Sequence, residues 1–311
     1  MSATADALGL EAPVGPPPAP RPGAWRRLAR NPSVFVGAAI LLVVFVMGLA
    51  APLVTPFDPG EINPVNRNRK PGAEQTIRAA DGTKTVVTHW MGTDSLGRDV
   101  YTRVVYGARA SLSVGLAVAA ISVALGLALG LVSGYLRWLD PIAMRIMDGV
   151  MAIPAILLAI ALVSLSTAGL VAVIVAIVVP EIPRVVRLVR SVVLSIREEP
   201  YVEAAIAVGT RTPLLIVRHV LPNTVAPLIV QATYIAASAI LIEAILSFLG
   251  VGIPPQTPTW GNIMAEGRTL FRVFPHNILF PGIFLALTVL AVNMLGDGLR
   301  DTLDPRMERR A

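Results

Sequence analysis

The sequence predicts an all-α polytopic membrane protein with six transmembrane helices, and three observations carry that expectation. Apolar residues make up 54% of the 311-residue chain and charged residues only 15%, a balance outside the range of water-soluble domains. Six apolar stretches close to membrane-spanning length recur along it, each near the twenty residues a hydrocarbon core demands. Arg residues gather beside those stretches at one set of ends, the pattern left by retention of positive charge on the cytoplasmic side.

Residues 1–33 form a cytoplasmic tail. Its Pro-, Ala- and Gly-rich part ("APVGPPPAPRPG") has too little apolar periodicity to pack and is expected to be disordered. It ends in "WRRLAR", where Trp25 and Leu28 lie among three arginines as in a short helix resting on an anionic surface. Asn31 and Pro32 suit the N-cap and first position of the first span, residues 34–54. A cleavable signal peptide is the competing reading, because "GLAA" resembles a processing site, but the run is long for one. Residues 55–106 carry the turn signals "DPG", "KPG" and "DGT" and read as an extracytoplasmic segment too short and polar to own a core.

The core is expected over residues 107–298. Its five spans are residues 107–135, 150–168, 170–189, 224–250 and 278–295, with a polar loop at 251–277 and a cytoplasmic end at 299–311. An even count puts both termini on one side. Arg clusters at 21–30, 137–145, 184–218 and 300–310 make that side cytoplasmic, although the first outer segment is also rich in Arg and Lys.

Several residues within this frame point to packing or function. Gly126, Gly130 and Gly134, with Ser122 continuing the stripe, recur every four residues on one helical face, where missing side chains let another backbone approach. Pro154, Pro180 and Pro183 each remove a backbone donor; a bent helix that lines a cavity and a kink filled by packing both fit. Glu181 and Glu243 lie deepest in apolar sequence. Each costs about 2 to 3 kcal/mol if it faces lipid, so each is expected to point inward, for helix–helix hydrogen bonding, cavity lining or, less simply, a proton relay. In "GTDSLGRD", Asp94, Arg98 and Asp99 suit either a contact at the outer mouth or a turn held by local charge pairs. "GDGLRDTLDPR" is expected to anchor the last span through Asp297, Arg300 and Asp301.

The segment at residues 198–223, "EEPYVEAAIAVGTRTPLLIVRHVLPN", reads as two short helices in water between the fourth and fifth spans. Pro200 opens the first and Gly209 stops it; Thr212 and Pro213 open the second, which Pro222 and Asn223 end. On the first, Tyr201, Val202, Ala205, Ile206 and Val208 form one broad apolar face opposite Glu203. Such a face wants either a groove in a partner protein or the bilayer surface.

Other chemistry is excluded or unsupported. No Cys is present, and the three His are far apart without HExxH spacing, so neither a thiol nucleophile nor a metal site is expected. Neither lysine, Lys70 or Lys84, follows a glycine, so the chain has no P-loop and is not expected to be an enzyme or to bind a cofactor. The +6 formal charge reads as a topology signal rather than as nucleic-acid binding.

"EAAIAVG" at residues 203–209 followed by "IVRHVLPN" at 216–223 resembles the EAA loop of binding-protein-dependent ABC importers. "MGTDSLGRDVYTRVVYGARASL", "DPIAMRIMDGVMAIPAILLAI", "LSFLGVGIPPQTPTWGNIMAEGR" and "NMLGDGLRDTLDPR" extend the likeness over nearly everything after residue 25, and within that class it is similar to the C-type permeases of the dipeptide, oligopeptide and nickel group. The tail and "NRNRKPGAEQTIRAADGTKTVV" do not obviously belong to the pattern. The resemblance implies a MetI-like transmembrane core in a bacterial inner membrane, paired with a second, B-type permease, two cytoplasmic ATPases that use ATP and Mg, and an extracytoplasmic solute-binding protein that delivers di- or oligopeptides. It implies that Glu203, Ala204, Ala205 and Gly209 couple to the ATPase. Nickel chelates, glutathione or another small polar solute fit the same architecture; an ion-coupled carrier would need charged relays and inverted repeats, and a scaffold without transport is the third class.

Overall fold

The computed structural model describes residues 28–29, 31–78, 84–167 and 169–303. Most of the expected N-terminal tail and of the Trp25–Arg30 segment lies outside them. Helix α1, Pro32–Leu49, opens with Asn31 accepting from the Ser33 N–H at 3.0 Å and Pro32 in the first turn. A short turn of helix, α2, Ala51–Val54, continues it. The outer segment then forms an antiparallel hairpin, β1 (Ala73–Arg78) with β2 (Lys84–His89), with Ala73 opposite His89.

Helix α3 runs over Val100–Tyr135 and begins seven residues before the expected start at 107. Its first turns hold Arg103 and the cap Asp99, charges that hide a helix start from an apolar-run reading; Asp99 Oδ2 accepts from the Thr102 N–H at 2.7 Å. The expected third span, residues 150–168, is a broken one. Helices α4 (Asp140–Met151) and α5 (Ala155–Ser164) meet at 85°, because Pro154 supplies no N–H at the junction. Helix α5 alone has 10 residues, about 15 Å, and cannot cross a bilayer by itself. Pro180 and Pro183 do not break α6, Leu170–Arg197; both are buried within it.

Helices α7 (Pro200–Ala207) and α8 (Thr212–Leu215) follow, and α8 passes through a π turn, Ile216–Val220, into α9 (Leu221–Phe248). The second loop helix is therefore not separate: the wide turn, in which Leu221 N–H reaches back to Ile216 O, carries the chain past Pro222. The expected polar loop at 251–277 contains α10, Trp260–Gly267, and the last span extends as α11 over His276–Leu303. At its inner end Asp297 accepts from the Tyr234 hydroxyl at 2.6 Å, in place of the expected pairing with Arg300.

Helices α1, α3, α11 and the Thr212–Phe248 unit are long and apolar enough to cross a membrane, and the bent α4–α5 pair is a fifth crossing if counted as one. Helix α6, with 28 residues, is about 42 Å long but carries Glu181, Arg184, Arg187 and Arg190. Six crossings are compatible with this set. Helix α3 packs most extensively on α6, α9 on α11 and α3, and α1 on α11. The α3–α6 seam is close along its length: a Cβ added to Gly126, Gly130 or Gly134 would meet Val185, Val189 or Val193 at 2.4, 2.7 and 2.9 Å. Helix faces that repeat every four residues thus interlock, glycine against valine.

Replacing Gly130 with Ala is expected to cost about 1 to 3 kcal/mol through overpacking, seen as a lower thermal midpoint in detergent. Adding Val189→Ala should recover part of that loss; a double variant no more stable than Gly130→Ala would show that the seam does not carry it.

Candidate functional site

The loop between α6 and α9 is built from both sides of a solvent boundary. Helix α7 starts at Pro200 and stops in a Schellman turn: Thr210 N–H bonds to Ala205 O at 3.0 Å and Gly209 N–H to Ile206 O at 2.9 Å, with Gly209 at φ +82°. Nothing lies within 4 Å of a Cβ built on Gly209. The glycine is required by its left-handed backbone rather than by a close neighbour. Val202, Leu215 and Val220 are fully buried in the chain's own core and Ala205 packs against it, while Tyr201, Ile206, Val208, Leu214 and Val217 are exposed. The single apolar face expected for α7 is therefore split, and the loop does bury part of itself: Val202 and Ala205 root it, and Tyr201, Ile206 and Val208 remain outside. Glu203 and Ala204 are exposed.

Beneath the loop lies a cavity of about 280 Å³ lined by Ser133, Gly134, Arg137, Asp140, Arg197 and Glu203 among others. Arg197 closes its floor, donating to Gly134 O at 3.1 Å and Tyr135 O at 3.3 Å, the open carbonyls at the end of α3, with its guanidinium over the Tyr135 ring. Two ion pairs strap α4 across α6: Arg190 donates to Asp140 at 2.5 and 2.6 Å, and Arg187 to Asp148 at 2.5 Å. The Arg190 hydrogen bonds hold the Asp140 carboxyl below its ordinary range, and charge attraction adds to them against the opposing effect of burial.

The two deep carboxyls tie different helices and do not form one site. Glu181, fully buried on α6, accepts from Arg184 Nη1 at 3.2 Å on both oxygens and from the Ser238 hydroxyl of α9 at 3.3 Å. Glu243, fully buried on α9, accepts from Ser247 at 2.8 Å and from Ser111 of α3 at 3.4 Å. Gly126, Gly130 and Gly134 belong to the α3–α6 seam, and Gly134, at its end, also lines the cavity beneath the loop.

In the segment before α3, Asp94, Arg98 and Asp99 are buried and held by charge pairs. Asp94 Oδ2 accepts from Arg98 Nε at 2.7 Å and from Arg103 Nη1 at 2.8 Å; Arg103 also donates to Glu266 of α10 at 2.6 Å, and Arg98 pairs with the same carboxylate. Two cations and two anions balance in one buried cluster that joins the outer segment, α3 and α10. Asp99 holds His89 Nδ1 at 2.8 Å, whose Nε2 meets Gln75 at 2.9 Å and whose ring stacks on Phe57. The buried groups of this segment are polar and are shared with α3 and α10. Arg103, Glu266, His89 and the buried Trp260, which donates to Val104 O at 3.0 Å, were not singled out from sequence. The readable signal was charge balance between "GTDSLGRDVYTR" and the lone Glu266 that follows a capping Thr259.

Asp94→Asn should cost about 3 to 5 kcal/mol, since it removes one anion from a buried network and leaves Arg98 and Arg103 sharing Glu266; chemical denaturation in detergent measures it, and an unchanged midpoint would exclude the cluster as a structural clamp. The Asp140 tie has the opposite reach in pH. Because the folded carboxyl is depressed, its stabilisation is complete at neutral pH and is lost as pH falls below the unfolded carboxylate range and through the lower folded value. Stability of the Asp140→Asn variant should fall less on acidification than that of the unaltered chain.

The family model for the inner membrane component of binding-protein-dependent transport systems matches residues 122–309, and the model for the N-terminal transmembrane domain of oligopeptide transport permease C matches residues 22–71. A probable peptide ABC transporter permease of Sinorhizobium fredii is 48% identical over 281 residues, covering 90% of this chain and 91% of the relative. The dipeptide transport system permease DppC of Alkalihalophilus pseudofirmus is 41% identical over 304 residues, 95% of each chain. The glutathione transport system permease GsiD of Escherichia coli is 38% identical over 286 residues, 91% of this chain and 90% of the relative. With the polytopic helical fold and the loop between α6 and α9 in place, these matches show that the chain belongs to the family of binding-protein-dependent ABC transporter inner membrane permeases.

Proposed function

We propose that the chain forms, with a second permease, the membrane pathway of an ATP-driven importer for di- or oligopeptides delivered by an extracytoplasmic solute-binding protein. ATP and Mg belong to two partner ATPases, and the loop of α7 and α8 is where they grip. The observation that supports this reading best is the two-sided burial of that loop. Val202, Leu215 and Val220 fix it into the core, while Tyr201, Ile206, Val208, Leu214 and Val217 stand exposed beside Glu203 and Ala204. A rigid, capped helix with an apolar outer side suits a groove in a partner, and its rooted side gives that partner a hold on α6 and α9.

In this scheme ATP binding draws the two ATPases together and pulls the loop of each permease inward, favouring an outward-facing arrangement, and hydrolysis releases it. Glu203 supplies charge at the groove's edge, Ala204 permits close approach, Ala205 seats the helix on its own core, and Gly209 sets its end. The peptide reading draws on relatives whose names cite peptide and dipeptide transport. Glutathione is the second reading, since one relative is named for it.

The test is uptake into proteoliposomes that hold the complete complex. ATP-dependent accumulation of a labelled dipeptide, competed weakly by glutathione, is expected. Uptake that follows an ion gradient without the ATPases would overturn the reading. An Ile206→Asp, Val208→Asp double variant should insert normally yet lower uptake about tenfold, because it places charge in an apolar contact with the ATPase. Unchanged uptake would remove the loop from the coupling role. Gly209→Val should act similarly through backbone strain of about 1 kcal/mol or more at a left-handed position.

A further inference from the structure

Arg184, counted from sequence with the cytoplasmic arginines, is half-exposed and lies midway along the 28-residue α6. Its depth is fixed by its neighbour Val185, which packs on Gly126 in the middle of the apolar run of α3. An exposed guanidinium at that level is not a lipid-facing group, because hydrocarbon offers it neither water nor a counter-charge. Its Nη1 is held by both oxygens of the fully buried Glu181, which Ser238 also contacts. No partner within the chain is found for its Nε and Nη2 among the described residues.

Ser238, which contacts Glu181, belongs to a polar stretch of an α9 face that exposed Leu241 and Ile245 continue. Gln231, Tyr234 and Ser238 of α9 are spaced by three and four residues, share a face and are half-buried. Tyr234 in turn donates to the exposed Asp297 of α11. Hydrogen-bonding groups thus continue across α6, α9 and α11 at neighbouring depths. A water-filled wall requires such groups, whereas close packing between membrane helices uses small residues, as the α3–α6 seam does.

We infer that Arg184, held in place by Glu181, lies on the wall of the aqueous translocation pathway and offers its outward N–H groups to a carboxylate of the passing solute. The inference deepens the transport reading and rests on it. A guanidinium presents its donors in a planar fork that fits a carboxylate, and peptides end in one. The Glu181 carboxylate already takes part of the Arg184 charge, so the contact with a solute is transient, which suits a route that must release what it binds.

The chain contains no cysteine, so a single thiol can be placed without altering it elsewhere. In the complete complex in proteoliposomes, Arg184→Cys should react with a membrane-impermeant methanethiosulfonate about tenfold faster than Phe45→Cys on α1, because thiolate formation needs water. Intact mass of this chain alone reads the labelling, so cysteines in partner chains do not interfere. Equal rates at the two positions would overturn the placement on an aqueous wall. A second readout addresses the carboxylate: Arg184→Gln should lower ATP-driven dipeptide uptake about fivefold while ATP hydrolysis persists, and Arg184→Lys should restore part of it. Full uptake by Arg184→Gln would overturn the solute contact. Failure of the unaltered complex to take up peptide would count against the transport reading itself, while the labelling comparison still decides where Arg184 lies.

Discussion

The close seam between α3 and α6 is the constraint on which the other contacts depend. In lipid no hydrophobic drive brings helices together, so their association relies on close van der Waals approach and on hydrogen bonds. Three glycines receiving three valines at a four-residue repeat allow that approach over two full turns. Helix α6 then becomes the member against which α4, α5 and α9 are arranged. The same seam sets the register at which Arg197 reaches the open carbonyls of α3 and at which Val202 enters the core. A sideways pull on α7 is therefore felt by α3 and α6 together, because no side chain in the seam has room to yield independently.

Polar groups are distributed according to where water can reach. At the outer end, buried charges are neutralised within the chain: Asp94, Arg98, Arg103 and Glu266 form a closed set, and removing water strengthens both their attraction and the penalty for losing any member. At the inner end, Asp140 and Asp148 meet arginines across the face of α6 at half-exposed positions, where each pair contributes less and can exchange with solvent. The two ends thus differ in stiffness. The buried cluster is the tighter tie, and the half-exposed straps on α6 lie at the end of the bundle that carries the α7–α8 loop.

Much of this was legible in the sequence because its causes are local. Asn31 with Pro32, Pro200 with Gly209, and the Gly126, Gly130 and Gly134 repeat act through neighbours one to four residues away, and a pattern reading captures them. The break at Pro154 was ambiguous, since the same residue type passes through α6 at Pro180 and Pro183 without a break. What decides is whether adjacent helices shelter the freed carbonyls, and that is tertiary information. The early start of α3 and the whole of α10 were hidden because they carry charges whose partners lie far along the chain, 163 residues apart for Arg103 and Glu266. The split of α7 into a rooted and a free side was hidden for the same reason: a helical wheel gives the apolar face but not how much of it the parent chain covers.

The Glu181–Arg184 pair joins these themes midway along α6. A lone arginine there would have to be neutralised or hydrated at considerable cost, and a lone glutamate would lose its charge. Placed one turn apart on α6, each makes the other tolerable, and Ser238 fixes the carboxylate so that the guanidinium keeps one orientation. The pair presents directed donors on its open side. A carrier that receives its cargo already selected by a binding protein needs little more than that. Contacts strong enough to discriminate would also hold the solute, and the turnover of an alternating pathway depends on letting it go.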